Sequence, residues 1–373
     1  MEASKREDNS TTDNCTEGLN IFRIPQVTNE DCKHINVVAA QIFSDIFYVL
    51  TFTAIAINIL KILSTVRGAQ KWTTSHIYLV NIAAAHIIFL LPCPVWGMYL
   101  NQQYDWHLGK YACSIMNFTN ALGHFGGTLL ICIICVDRVV SIHFPVTSIQ
   151  YKNVKFGKMV VMTSWTLSTV IASLSYVYTP FTVYGGSKHL CGAMNIGNAL
   201  SFASVWSFTM FFVPNILIPT VVIVPCFVKI MVYLCCQQTR LPYDMGKVIK
   251  LDIAYISSFL ILCLSSSYAI LIVCFVYLTS PSCHDKCRWA NVINLLSETA
   301  RLLNVFNAVI SPFIYLSKFK LGLCTSLCDC TNLKLCSCEC SQQPPALGIQ
   351  TLQLVYIPCV TDDHSELKIN AHC

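Results

Sequence analysis

The sequence predicts an all-α membrane protein: a bundle of seven transmembrane helices with an extracellular amino terminus and a cytoplasmic carboxyl terminus. Three observations predict it. Of the 373 residues, 54% are hydrophobic and 12% charged, about half the roughly 25% charged fraction of a soluble domain. Seven runs reach the roughly 20 mostly apolar residues that a helix needs to cross a bilayer. Lys and Arg are divided unevenly between the segments that join those runs.

The runs are 41–63, 76–100, 112–140, 159–177, 205–235, 248–278 and 292–316. One side carries Lys61, Arg67, Lys71, Arg138, Lys152, Lys155, Lys158, Lys229, Arg240, Lys247 and Lys250, against Lys110, Lys188, Lys286 and Arg288 on the other. Positive residues stay inside, so the richer side is cytoplasmic. The sequons at Asn9 and Asn14 then lie outside, where glycosylation occurs; a third at Asn117 falls within a run and is read as chance. Residues 1–36 are therefore expected to be a glycosylated extracellular segment with no signal-peptide pattern. Residues 37–322 form the seven-helix domain, and 323–373 a Cys-rich cytoplasmic tail. So much Leu, Ile, Val and Phe excludes disorder. A net charge of +5, scattered along the chain, gives nucleic acid no footprint. The partner that composition does imply is the lipid bilayer.

The 22 cysteines divide by compartment. Cys15, Cys32, Cys113, Cys191, Cys283 and Cys287 sit at or outside the outer face, where disulfides persist. Cys113 at the mouth of the third run and Cys191 in the second outer loop are the expected pair, clamping that loop over the bundle. A second bridge from Cys32 to Cys283 or Cys287 would tie the amino terminus to the seventh run, but sequence does not fix the connectivity. Cysteines within the runs read as small packing residues. Cys324, Cys328 and Cys330, just past the last run, are S-acylation candidates; zinc is the alternative reading of the tail cysteines, without the paired Cys-x-x-Cys spacing that favours it. No metal or cofactor is otherwise called for. There is no His-Glu-x-x-His or Gly-x-Ser-x-Gly for an intramembrane enzyme. A transporter or channel would show internal repeats or several intramembrane charges, and this chain shows neither.

The third run ends Cys135-Val-Asp-Arg-Val-Val-Ser-Ile-His-Phe-Pro145. This resembles the Asp-Arg-Tyr end of the third helix in rhodopsin-like (class A) G-protein-coupled receptors. Other landmarks follow in register: Asn58 in the first run, Trp106-His-Leu-Gly109 in the first outer loop, Trp165 in the fourth run, Pro219 in the fifth, and Ser311-Pro-Phe-Ile-Tyr315 in the seventh. The match covers roughly residues 37–322. Within the family, the stretch from Glu298 through Arg301 to Asn307 is similar to the branch related to the purinergic nucleotide receptors.

The resemblance implies a receptor that passes binding of an extracellular ligand to a heterotrimeric G protein. Asp137 would restrain Arg138 at rest, and Arg138 would turn toward the G protein with Tyr315 when the cytoplasmic face opens. The plainer reading of Asp137 and Arg138 is an interfacial pair that anchors the helix. Several positions depart from the family. His86 stands where most members carry an intramembrane Asp, and Gly127 and Ser311 replace its partners, so a sodium site is not expected: imidazole is a poor ligand for a hard cation. His86 is instead expected to hydrogen-bond to Asn58 or Ser311, with proton sensing as the alternative. In the sixth run Leu264 and Ser266 replace an aromatic and a kink proline; serines bonded back to the preceding turn bend a helix more gently. Phe227 replaces a tyrosine that would meet Arg138 and Tyr315. These departures keep open a non-signalling or constitutively active receptor.

The ligand would enter from the outer mouth. Asn120 replaces the aspartate of amine receptors, which disfavours an amine, and Val305 excludes a Schiff base. Arg301, within the seventh run, matches an anion-contacting arginine of the purinergic branch, pointing to an anionic lipid, peptide or nucleotide. Equally, it could pair with Glu298 or Asp45 to hold helices together. Tyr268 stands where that branch carries a histidine, which weighs against a triphosphate.

Overall fold

The computed structural model describes residues 37–69, 71–146, 148, 153–177, 181–184, 188–191, 209, 212–236, 243–279 and 283–316. The sequons Asn9 and Asn14, Cys32, and the tail cysteines Cys324, Cys328 and Cys330 lie outside the described residues.

The helices are α1 (Val37–Gly68), α2 (Thr74–Leu90), α3 (Cys93–Asn101), α4 (Gly109–His143), α5 (Val154–Val177), α6 (Val224–Cys236), α7 (Tyr243–Phe259), α8 (Ser265–Thr279) and α9 (Cys283–Leu316). The bundle is all-α, as expected. A two-stranded antiparallel hairpin, β1 (Phe181–Tyr184) and β2 (Lys188–Cys191), is added outside it, with Phe181 opposite Cys191.

The seven runs map onto these helices with instructive breaks. The second becomes α2 and α3, which part at Leu91–Pro92; Pro92 and Pro94 each lack the N–H that would carry the helical ladder through. In the fifth, two π-helical turns, Val213–Leu217 and Pro219–Ile223, precede α6. In the sixth, a third π turn, Leu260–Leu264, separates α7 from α8. The seventh begins nine residues ahead of the apolar run, at Cys283. Among the described residues, five helical segments are both long and apolar enough to cross a membrane. The other two, α5 and α9, have the length, 24 and 34 residues, and about 36 Å already spans the hydrocarbon core. Ser and Thr in α5, and charged residues in α9, lower their hydropathy.

Large apolar side chains such as Val49, Phe52, Val221 and Phe275 are exposed along the outer faces. In water these would be an aggregation surface; against lipid tails they are solvated. Association of the helices therefore rests on close packing and interhelical hydrogen bonds. At Gly123 in α4 the backbones of α2 and α4 all but touch, for a Cβ there would lie 2.2 Å from the Phe89 nitrogen. Asn58 in α1 donates to the carbonyls of Ala54 and Ala308, both at 2.8 Å, tying α1 to α9. Trp165 in α5 donates to Asn81 in α2 at 3.0 Å.

Candidate functional site

At the cytoplasmic end, α1, α2, α4, α7 and α9 converge on one polar cluster. Arg138, 9% exposed, lies near the end of α4. Its Nε donates to Asp252 Oδ2 on α7, one Nη donates to Ser75 Oγ on α2 at 3.0 Å, and the other lies 3.6 Å from Asp137. The Tyr315 hydroxyl on α9 donates to the second oxygen of Asp252 at 2.9 Å. Lys61 on α1 places its ammonium 4.3 Å from the Tyr315 ring centroid. Phe227 packs among Ile230, Leu234 and Ile253 in an apolar wall. A guanidinium so buried needs its charge matched, and two carboxylates match it. The expectation held Asp137 alone as the restraint on Arg138; the structure adds Asp252, and it places Lys61 against Tyr315 in the same cluster. Asp252 was legible, because it is the single acidic residue in the run 248–278, and an ionisable group inside a span is a functional candidate by default.

In the middle of the bundle, His86 Nδ1 lies 3.3 Å from Asn58 Oδ1. Both Asn58 N–H groups are spent on carbonyls, so its oxygen accepts and His86 Nδ1 carries the proton. His86 borders a cavity of about 30 Å³ lined also by His124, Gly127, Thr128, Asn304 and Asn307, wide enough for about two waters. Ser311 is fully buried nearby on α9. Among the described residues, no group of three or more His, Cys, Asp or Glu could hold a metal ion. One turn outward, Ser266 Oγ donates to the carbonyls of Leu262 and Cys263 at 2.9 and 3.0 Å, and Ser267 Oγ to Cys263 at 2.8 Å. The serines bond back as their replacement of the kink proline suggests, directly after the π turn, with Leu264 buried.

At the outer mouth, Cys113 at the top of α4 is bonded to Cys191 of β2. The hairpin is also held by the first outer loop: Trp106 N–H donates to the His189 carbonyl at 2.8 Å, and His189 N–H to Asp105 at 3.1 Å. Asn117, the sequon inside a run, donates to the Cys113 carbonyl at 2.9 Å beneath the disulfide. Below this cover Glu298 is buried on α9. Its carboxylate accepts Trp96 Nε1 at 2.9 Å and the Tyr104 hydroxyl at 3.4 Å, and lies 3.6 Å from Arg301 Nε. The Arg301 guanidinium stacks over Trp96, 3.7 Å from the ring centroid, an electrostatically favourable cation–π geometry. Burial, reinforced by the Glu298 charge, holds the Tyr104 hydroxyl well above its ordinary phenol range, so it remains a donor. Gln103 and Tyr104 both have left-handed backbone, φ 51° and 61°, a strained turn that these side-chain contacts hold. Trp96 and Tyr104 had no signal in sequence beyond being aromatic. Asp45, the other partner considered for Arg301, is exposed on α1. Tyr268 shares a hydrogen bond of 2.7 Å with Thr220, and Asn120 is half-buried on α4; neither joins the Glu298–Arg301 cluster. Cys283 and Cys287 fall in the opening turns of α9.

Compared with known protein families, the chain matches the model described as 7 transmembrane receptor (rhodopsin family) over residues 57–315, more than half its length.

Proposed function

Since the chain belongs to the rhodopsin family of seven-transmembrane receptors, and is a multi-pass protein of the plasma membrane, we propose that it relays binding of an extracellular ligand to a heterotrimeric G protein through Arg138. The observation that carries this reading is the position of Arg138. It is buried at the cytoplasmic end, and its guanidinium is shared between carboxylates on two helices. An ion pair of that kind is a bistable element: the same guanidinium has one set of partners with α4 and α7 together and another when they part. A purely anchoring arginine would reach for lipid headgroups; this one points into the bundle.

On the outer side, the ligand contacts the region around Arg301, with Glu298, Asn120 and Tyr268 as neighbouring candidates. Arg301 retains 27% side-chain exposure, with its buried Nε turned toward Glu298 at 3.6 Å. That leaves part of the guanidinium for a ligand carrying one anionic group, such as a lipid, a peptide terminus or a nucleotide. The altered mid-bundle position, with His86, Gly127 and Ser311, takes water rather than sodium.

The test needs no ligand. Wild type and Arg138→Ala are expressed at matched surface levels, and basal dissociation of a panel of Gα subtypes is recorded. A basal signal from the wild type that the substitution abolishes is the expected result. An equal signal from both would sink the assignment of Arg138.

A further inference from the structure

Lys61 is a buried cation for which the signalling reading has no use. It is 1% exposed, and its ammonium makes no hydrogen bond. Its compensation is the face of the Tyr315 ring, whose hydroxyl in turn donates to Asp252. An ammonium inside a bundle without an acceptor is costly, and a ring face offsets only part of that cost.

The charges of the cluster balance in pairs. Lys61 on α1 and Arg138 on α4 are the cations; Asp137 on α4 and Asp252 on α7 are the carboxylates. Asp252 serves both cations, directly for Arg138 and by way of Tyr315 for Lys61, and it is the member carried on a different helix from either. If Arg138 is to reach a cytosolic partner, which is the reading this inference rests on, α7 must draw away from α4 and take Asp252 with it. Two buried cations then face Asp137 alone, and Lys61 has no carboxylate at all. A buried charge left without its partner is strongly destabilising. The open state therefore demands an anion from elsewhere.

We propose that Lys61 and Arg138 together form a carboxylate receptacle at the cytoplasmic face, filled by Asp252 at rest and by a carboxylate of the cytosolic partner's inserted segment in the active state. Asp252 is thus an internal mimic of the partner. The chemistry fixes the partner's group as a carboxylate, either an acidic side chain or a free carboxyl terminus.

Four receptors test it at matched surface levels: Asp252→Asn, Asp252→Asn with Lys61→Met, Asp252→Asn with Lys61→Arg, and Asp252→Asn with Arg138→Ala. Asp252→Asn empties the receptacle and raises ligand-independent G-protein signalling, which Arg138→Ala removes. Adding Lys61→Met lowers that signal by about fivefold or more, while Lys61→Arg keeps it. A structural role for Lys61 predicts the opposite sign: the Asp252→Asn, Lys61→Met pair has one cation against one carboxylate and should fold and signal at least as well as Asp252→Asn. That outcome overturns the proposal. Absence of any Arg138-dependent signal from Asp252→Asn overturns the signalling reading and this inference with it. In the responding Gα, displacing the terminal carboxylate by an added glycine, or converting acidic side chains of the inserted segment to amides, identifies the group that Lys61 meets. The responsible change weakens coupling to Asp252→Asn and leaves the Lys61→Met pair unaffected. If neither change separates the two receptors, the receptacle does not exist.

Discussion

Tyr315 donates its hydroxyl to Asp252 at 2.9 Å across the gap between α9 and α7, while the other oxygen of the same carboxylate accepts from Arg138 on α4. One side chain therefore closes three helices at the cytoplasmic end. A hydrogen bond to a charged group contributes about 1.5–3 kcal/mol, so Tyr315→Phe should lower the thermal stability of the purified receptor and loosen α7. Lys61 keeps its ring face in this variant, which isolates the hydroxyl. Detergent-solubilised protein melting at the wild-type temperature would mean that the Tyr315–Asp252 bond does not hold the resting form.

Gly123 and Gly127 sit one turn apart on α4 and predict opposite responses. A side chain at 123 meets the Phe89 backbone, which cannot move aside without shifting α2. At 127 the nearest atom to an added Cβ is the Ala85 Cβ, at 4.0 Å, an ordinary van der Waals distance beside the cavity. Gly123→Ala should cut surface expression severely, and Gly127→Ala should leave it within about twofold. Surface labelling of tagged receptors compares the two directly. Equal expression of both would mean that α2 and α4 do not approach as closely as described.

Glu298 organises the outer cluster, since Trp96, Tyr104 and Arg301 all address its carboxylate. Glu298→Ala leaves two donors and a cation without their acceptor, and breaking a buried pair from one side costs about 3–5 kcal/mol. Arg301→Gln removes the cation but keeps the carboxylate bonded to Trp96 and Tyr104, and is the milder change. Thermal melts should rank wild type, then Arg301→Gln, then Glu298→Ala. Arg301→Gln should also weaken any anionic agonist found by screening while sparing basal signalling. A reversed ranking in the melts would show that Arg301, not Glu298, holds the cluster.

The bundle itself was legible in the sequence because bilayer thickness dictates run length and Lys and Arg dictate orientation; both are properties of single segments. Pairings that depend on three-dimensional register were legible only where a landmark marked them, as at Arg138 and Cys113. Lys61 was read as one more inside-facing positive charge, since nothing in a linear pattern distinguishes an interfacial lysine from one turned inward onto Tyr315. Asp252 was legible as the single acidic residue of the run 248–278, but its partners on α4 and α9 were not. The π turns before α6 and α8 also left no trace beyond Pro219 and the Ser265–Ser267 triplet, because a widened turn is a choice of hydrogen-bond partner, not of residue type. At the outer mouth, sequence offered Glu298, Arg301 and Asp45 as possible pairs; the choice was made by Trp96, which a break at Pro92 brings over the guanidinium.

His86 stands in the middle of the bundle with its ring against Asn58. The cavity it borders offers carboxamides from Asn304 and Asn307 and the hydroxyl of Thr128, but no carboxylate among its lining residues. Hard cations need anionic oxygen to repay their dehydration, and a neutral imidazole whose Nδ1 proton is fixed on Asn58 supplies none. Thermal stability of the wild type should therefore be the same in sodium chloride and in choline chloride at equal ionic strength. His86→Asp places a carboxylate among three existing oxygen groups and should create a sodium-dependent rise in melting temperature that choline does not reproduce. Asn58 still bonds Ala54 and Ala308 in that variant, so the junction of α1 with α9 is kept. Sodium dependence in the wild type would instead mean that oxygens such as those of Asn304 and Asn307 suffice to hold the ion without a carboxylate.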